Sequence, residues 1–214
     1  MRRGQRGRFI TVEGIEGVGK SSNIAVLVEH IEKAGYEVLT TREPGGTPVA
    51  EDIRTLLKER GDEPIPEIAE LLMMFAARSL NVNNVIIPAL EAGKWVVSDR
   101  FTDSSRAYQG GGRGIPMATI DSLADWVHGD IWPDLTILLD APVEIGMARA
   151  SHRGAPDRIE REKNDFFERV RACYLTLAER EPNRFVVIDT TRSLVEVQED
   201  VAVIAQHLID NVLL

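Results

Sequence analysis

The chain has 214 residues, 43% hydrophobic and 28% charged, with a formal net charge of −9. This composition suits one folded domain with a full core, and the acidic balance argues against a nucleic-acid-binding surface. No apolar run approaches the ~20 residues of a membrane helix. The single cysteine, Cys173, can form no internal disulfide, so a cytoplasmic setting is expected.

Residues Met1 to Arg8 are basic but lack the apolar segment and small-residue cleavage site of a secretory signal, so a frayed, disordered tail over 1–7 is expected. Arg8-Phe-Ile-Thr-Val12 reads as a short strand. Ser22 to Ala34 carries Ile24, Leu27, Val28 and Ile31 at helical spacing. Between them, Gly14-Ile-Glu-Gly-Val-Gly-Lys20-Ser21 fits Gly-x-x-x-x-Gly-Lys-[Ser/Thr]. A strand, this loop and a helix form the setting in which backbone N–H groups wrap the phosphates of a nucleoside triphosphate. Lys20 then reaches the outer phosphates, and the Ser21 hydroxyl holds Mg2+.

Alternation of strand and helix continues. Tyr36 to Thr41 is a strand, Arg42 to Gly46 a loop, and Pro48 to Arg60 and Glu67 to Leu90 helices, the second broken near Asn81 to Asn84. Lys94 to Ser98 is a strand running into Asp99-Arg100, and a polar stretch through Gly110-Gly-Gly112 leads to a helix from Met117 to Val127. Leu135 to Leu139 is a strand with a continuous apolar run, as expected inside a parallel sheet. Val143 to Ala150, Lys163 to Glu181 and Leu194 to Leu213 read as helices, Arg184 to Ile188 as the last strand, and Ser151 to Glu160 as a basic, mobile segment. Five strands alternating with helices predict one α/β domain with a parallel sheet.

A phosphate loop alone does not choose a reaction. No Asp is followed by Gly three places on, and Asn-Lys is absent, which disfavours a GTPase switch. The metal needs a second carboxylate at the end of an apolar strand. Asp99, followed by Arg100, is preferred to Asp140, which is followed by Ala-Pro and reads as structural. Arginine far outnumbers lysine, and Arg42, Arg78, Arg100, Arg149, Arg153 and Arg158 form a set suited to gripping two anionic substrates. Taken singly, each except Arg100 reads as a solvated surface residue.

Several segments then occur in order: Phe9-Ile-Thr-Val-Glu-Gly14, Thr41-Arg-Glu-Pro-Gly-Gly-Thr47, Phe75-Ala-Ala-Arg78, Asp99-Arg-Phe101, Ala107-Tyr-Gln-Gly-Gly-Gly112 and Asp157-Arg-Ile-Glu160. Together they resemble the thymidylate kinase family of the bacterial type, from about Phe9 to the last helix. The resemblance implies a P-loop nucleoside monophosphate kinase-like fold, a doubly wound five-stranded parallel sheet flanked by helices. It also implies transfer of the ATP γ-phosphate to dTMP with Mg2+, and a homodimer.

Carried over by motif, the loop residues Gly14, Ile15, Glu16, Gly17, Val18, Gly19, Lys20, Ser21 and Ser22 would hold ATP, with Ser21 and Asp99 on the metal. Glu16 would also meet the deoxyribose 3′-hydroxyl, and Arg100 would hold the acceptor phosphate. Arg42, Glu43 and Arg54 look like further acceptor contacts. Arg78 would bond the thymine carbonyl, Ser105 and Gln109 would line the base, and Tyr108 would crowd the 2′ position. Family members often carry an aromatic residue four places before the thymine-reading arginine; here Met74 stands there with Phe75 beside it, and both are taken as base contacts.

The segment from about 149 to 160 resembles a lid, with Arg149 and Arg158 toward ATP and Arg153 as the catalytic arginine, since the loop itself holds none. The competing reading is another P-loop kinase acting on a different nucleoside monophosphate. A regulatory protein without turnover would carry a damaged site, whereas Lys20, Ser21, Asp99 and Arg100 are all present.

Overall fold

Strand alternation builds two cores on opposite faces of one sheet. In the computed structural model, which describes residues 6–59, 63–151 and 157–210, β1 (Phe9–Glu13) is buried throughout. Successive side chains of a strand point to opposite faces. Ile10 and Val12 accordingly join the larger core with Trp95 and Val97, while Phe9 joins the second core with Val96 and Phe101. The other strands are β2 (Val38–Arg42), β3 (Trp95–Asp99), β4 (Leu135–Asp140) and β5 (Phe185–Asp189).

All four strand pairings are parallel, in the order β2-β3-β1-β4-β5. Parallel neighbours need crossovers, which the helices supply. They are α1 (Lys20–Lys33), α2 (Pro48–Glu59), α3 (Glu67–Asn81), α4 (Ile87–Glu91), α5 (Thr102–Ser105), α6 (Met117–Val127), α7 (Val143–Ser151), α8 (Asn164–Arg180) and α9 (Leu194–Asp210). Leu27 and Ile31 of α1, with α8 and α9, cover one face; Ala89 and Leu90 of α4 cover the other. Because β1 is central and the chain turns to either side of it, a crevice opens beyond the carboxyl ends of β1 and β3, where ligands of such sheets bind. Register pairs Asp99 with both Val12 and Arg42 at that edge.

Two local readings change. The break expected near Asn81 to Asn84 is a π-helical turn, Val82–Ile86, that keeps the helix continuous into α4. Pro88, in the first turn of α4, has no N–H to return to the preceding turn, and the widened turn absorbs this defect. The polar stretch through Gly110-Gly-Gly112, for which the sequence predicts no element, is also helical, with α5 leading into a π segment Arg106–Gly112. Its glycines let α8 approach closely: a Cβ on Gly111 would lie 2.6 Å from the Cys173 Cβ.

The helical run Glu67–Glu91 has 25 residues and an 18-residue window of mean hydropathy 1.2, enough by length and composition for a membrane span and so beyond the sequence expectation. Its Leu71, Phe75, Val82 and Ile86 nevertheless pack within the domain. At the start of the chain, the tail expected over 1–7 ends before Gly7. That residue is buried and donates its N–H to Leu90 O at 3.0 Å; residues 1–5 lie outside the described residues.

Candidate active site

The phosphate loop crosses from the end of β1 to α1. At Gly17, φ is 77° and an added Cβ would meet Gly146 O at 1.8 Å, so only glycine fits beneath α7. Ile15 and Val18 turn inward and are 2% exposed, leaving their backbones to the ligand. Gly19 caps α1 with no side-chain hydrogen bond, and the first turn has no acidic residue. The helix N-terminus therefore presents free N–H groups and the positive end of its dipole. Lys20 Nζ folds back onto Gly14 O (3.1 Å) and Ile15 O (2.9 Å). Burial, with Arg100 nearby, holds its pKa down to about 8. Ser21 and Ser22 are exposed at the helix start.

At the end of β3, Asp99 Oδ1 is buried with no hydrogen-bond partner among the described residues. A buried carboxylate oxygen left unmatched is costly, and a cation opposite it would remove that cost. No cluster of three or more His, Cys, Asp or Glu forms a metal cage among the described residues. A single carboxylate with a hydroxyl such as that of Ser21 suits Mg2+, which takes one or two protein carboxylates and completes its shell from water and phosphate.

Arg100 follows at φ 74°, a left-handed conformation rare outside glycine that costs of order 1–3 kcal/mol and gathers at functional sites. Its Nη2 donates to Glu16 Oε1 (2.8 Å) and the Tyr108 hydroxyl (3.0 Å), and its Nη1 to Ser104 Oγ (3.2 Å) and the Tyr174 hydroxyl (3.3 Å). The Tyr108 hydroxyl donates to Glu16 Oε2 at 2.7 Å. Glu13, fully buried, accepts from Phe101 N–H, Ser104 and Tyr174. Burial outweighs those donors and raises its pKa to about 7.

Arg78 is 2% exposed. It donates to Glu43 Oε2 (2.6 Å), Ser105 Oγ (3.1 Å) and Phe101 O (3.1 Å), and its guanidinium lies 4.5 Å above the Phe75 ring. One cleft is lined by Glu16, Lys20, Ser21, Arg42, Glu43, Arg54, Met74, Arg78, Asp99, Arg100, Ser105, Tyr108 and Gln109. Most of the sequence-derived set thus converges.

Some expected residues stand away from the cleft, and others line it with their side chains already tied to protein partners. Phe75 is 2% exposed and packs with Leu71, Ile115 and Ile120 under Arg78, so Met74 rather than Phe75 meets the cleft. Glu43 is 4% exposed, and its carboxylate is spent on Arg78 and Asn81. Arg42 is forked onto Glu51, and Arg54 donates to Pro44 O. Arg149 points to Thr190 O at 2.9 Å. Arg158 bonds Leu57 O and Glu70, on the α2–α3 side rather than at the phosphate loop. Arg153 lies outside the described residues. Asp140 is forked by Arg171, in keeping with a structural role.

Sequence reasoning missed Glu13, Ser104, Tyr174 and Glu70. The partners of Tyr174, and Glu13 and Tyr174 as partners of Ser104, are distant in sequence and leave no local trace. Glu70 does leave one: with Met74 and Arg78 it falls at i, i+4 and i+8 of α3, a single face.

A family model described as "Thymidylate kinase" matches residues 12–201. Among curated relatives, the thymidylate kinase of Methylococcus capsulatus is 54% identical over 196 residues, 92% of this chain and 93% of its own. That of Teredinibacter turnerae is 50% identical over 195 residues, 91% of this chain and 95% of its own. The crystal structure of thymidylate kinase from Ehrlichia chaffeensis superposes with a TM-score of 0.76 at 33% identity, covering 94% of this chain and 99% of that one.

Proposed function

This chain belongs to the thymidylate kinase family and phosphorylates dTMP to dTDP with ATP as donor, and from that premise we propose that the phosphate loop holds ATP while the Arg78–Arg100 side of the cleft holds dTMP. The observation that carries this division is the meeting of Lys20, Asp99, Arg100 and Arg78 in one cleft. Phosphoryl transfer asks for positioning and charge neutralisation more than for a strong base, and among the described residues no histidine lines the cleft.

The loop N–H groups and Lys20 neutralise the ATP phosphates. Arg100, fixed between Glu16 and Tyr108, grips the acceptor phosphate and brings it toward the γ-phosphate. Ser21 and Asp99 would hold Mg2+, which when bound neutralises charge on the transferring phosphates. Arg153, beyond α7, supplies the transition-state arginine that the phosphate loop lacks. On the base side, Arg78 donates to a thymine carbonyl, and Met74, Ser105 and Gln109 line the ring. Tyr108 and Glu16 stand where a deoxyribose would lie.

The test is ADP release with Mg-ATP against dTMP, dUMP, UMP, CMP, AMP and GMP. Strong preference for dTMP and loss of turnover with EDTA are expected. Preference for another monophosphate would overturn the base pocket, and full turnover in EDTA would overturn the metal.

We read the chain as one domain that works as a cytoplasmic homodimer. The support for pairing is an apolar face: Ile68 and Leu72, one turn apart on α3, are 54% and 52% exposed, and Trp126 on the neighbouring α6 is 84% exposed. Light scattering should give twice the 23.8 kDa of one chain, and Trp126→Asp should shift the mass toward one chain. A monomeric wild type would refute the pairing. The setting is supported by Cys173, a free thiol whose pKa burial raises.

A further inference from the structure

Glu70 is 1% exposed on α3 and gathers three donors from two other parts of the chain. Its Oε1 accepts from Gln109 Nε2 at 2.9 Å and from Arg113 Nε at 3.4 Å. Its Oε2 accepts from Arg113 Nη2 at 3.2 Å and Arg158 Nη2 at 2.5 Å. Burial alone would push this carboxyl up, but the hydrogen bonds from Gln109, Arg158 and Arg113 outweigh burial and hold it below the ordinary carboxylate value. Glu70 is therefore an ionised group that can only accept.

An acceptor-only partner removes the two-fold ambiguity of a glutamine amide. Only the NH2 of Gln109 can face a carboxylate, so the amide cannot turn over without setting oxygen against oxygen. Gln109 is 2% exposed and lines the cleft. Nε2 spends one of its two N–H groups on Glu70, and Oε1 is the acceptor the amide keeps for a ligand. Among the described residues no donor is recorded to it. Arg78, which lines the same cleft, offers donors. The pair presents one acceptor and one donor, which complements a pyrimidine with an N3–H donor and an O4 acceptor. Cytosine offers the reverse, an unprotonated N3 and an N4 amino donor.

We propose that Glu70 is a specificity-positioning residue: by fixing the Gln109 amide it selects acceptor bases that carry a ring N–H, thymine over cytosine. The proposal rests on the assignment of dTMP to this side of the cleft. It also gives Arg158 a place in base selection, through Glu70, rather than at ATP.

The experiment compares kcat/KM for dTMP and dCMP, and KM for ATP, in wild type, Glu70→Gln, Glu70→Asp, Gln109→Met and the Glu70→Gln/Gln109→Met double variant. An amide at position 70 accepts either orientation of Gln109. An aspartate keeps the charge that Arg113 and Arg158 need but falls short of the amide, so it carries the test if Glu70→Gln folds poorly in thermal melts. The dTMP:dCMP ratio should fall about ten-fold or more in both position-70 variants, with KM for ATP within two-fold of wild type. The double variant should discriminate no worse than Gln109→Met alone. An unchanged ratio in a folded position-70 variant, a matching rise in KM for ATP, or additive losses in the double variant would each overturn the proposal. A wild type with no preference for dTMP would instead overturn the functional reading, a failure visible before any variant is made.

Discussion

Replacing Arg78 with alanine is expected to destabilise the protein by about 3–5 kcal/mol, because it breaks a buried ion pair from one side. Glu43, 4% exposed in the native fold, would keep only Asn81 Nδ2, at 3.3 Å, as a side-chain donor. Even with Arg78 in place, burial lifts the Glu43 carboxyl above its ordinary value. Ser105 Oγ would lose the Arg78 donor as well, Phe101 O would keep only the Ser104 N–H, and Phe75 would lose its guanidinium cover. Urea unfolding at neutral pH reads the loss. The double variant Arg78→Ala/Glu43→Gln should recover part of it, since the stranded charge is gone. A loss below about 1 kcal/mol would mean that water reaches Glu43 freely and that the pair is not the buried one described.

Lys20→Met is expected to leave the fold intact and to cut kcat by about 10²–10³-fold, the range for removing one preorganised charge donor at a transition state. The native ammonium is partnered by two loop carbonyls, and burial depresses its pKa to about 8. That is a charge stored at a site with too little counter-charge, and a triphosphate would supply it. Methionine keeps the bulk and removes the charge, so thermal stability without nucleotide should hold or rise. The comparison is Arg153→Ala, which should lower kcat while leaving KM for ATP near wild type. A Lys20→Met enzyme within three-fold of wild type would remove Lys20 from the chemistry.

The two variants probe features of unequal legibility. The Lys20 site is local: loop, cap and helix start lie within Gly14 to Ser21, and glycine spacing alone specifies the backbone shape. Arg78 was legible as a residue type in a motif, yet its partners come from two segments distant from it, Glu43 from one and Phe101 and Ser105 from the other. The same contrast explains Phe75 and Met74. Adjacent helical residues point about 100° apart, and only the packing of α3 against α6 decides which of them faces the cleft. The glycine run at 110–112 carries no helix signal because glycine disfavours helix; the close approach of α8 over Gly111 outweighs that propensity.

By itself the sequence determined the strand–helix alternation, the parallel sheet, the phosphate loop and the carboxylate–arginine pair at 99–100. Each is written in short-range spacing or in a continuous apolar run. Only the tertiary structure decided which charges meet. It gave Arg158 to Glu70 and Arg149 to Thr190, turned Glu43 onto Arg78, and closed Glu13, Ser104 and Tyr174 around Arg100. Such choices depend on which buried charges find hydrogen-bonding partners or counter-charges in distant segments, as Arg78 finds Glu43 35 residues away and Glu13 finds Tyr174 161 residues away, a condition that no local pattern encodes and that desolvation enforces once the chain is folded.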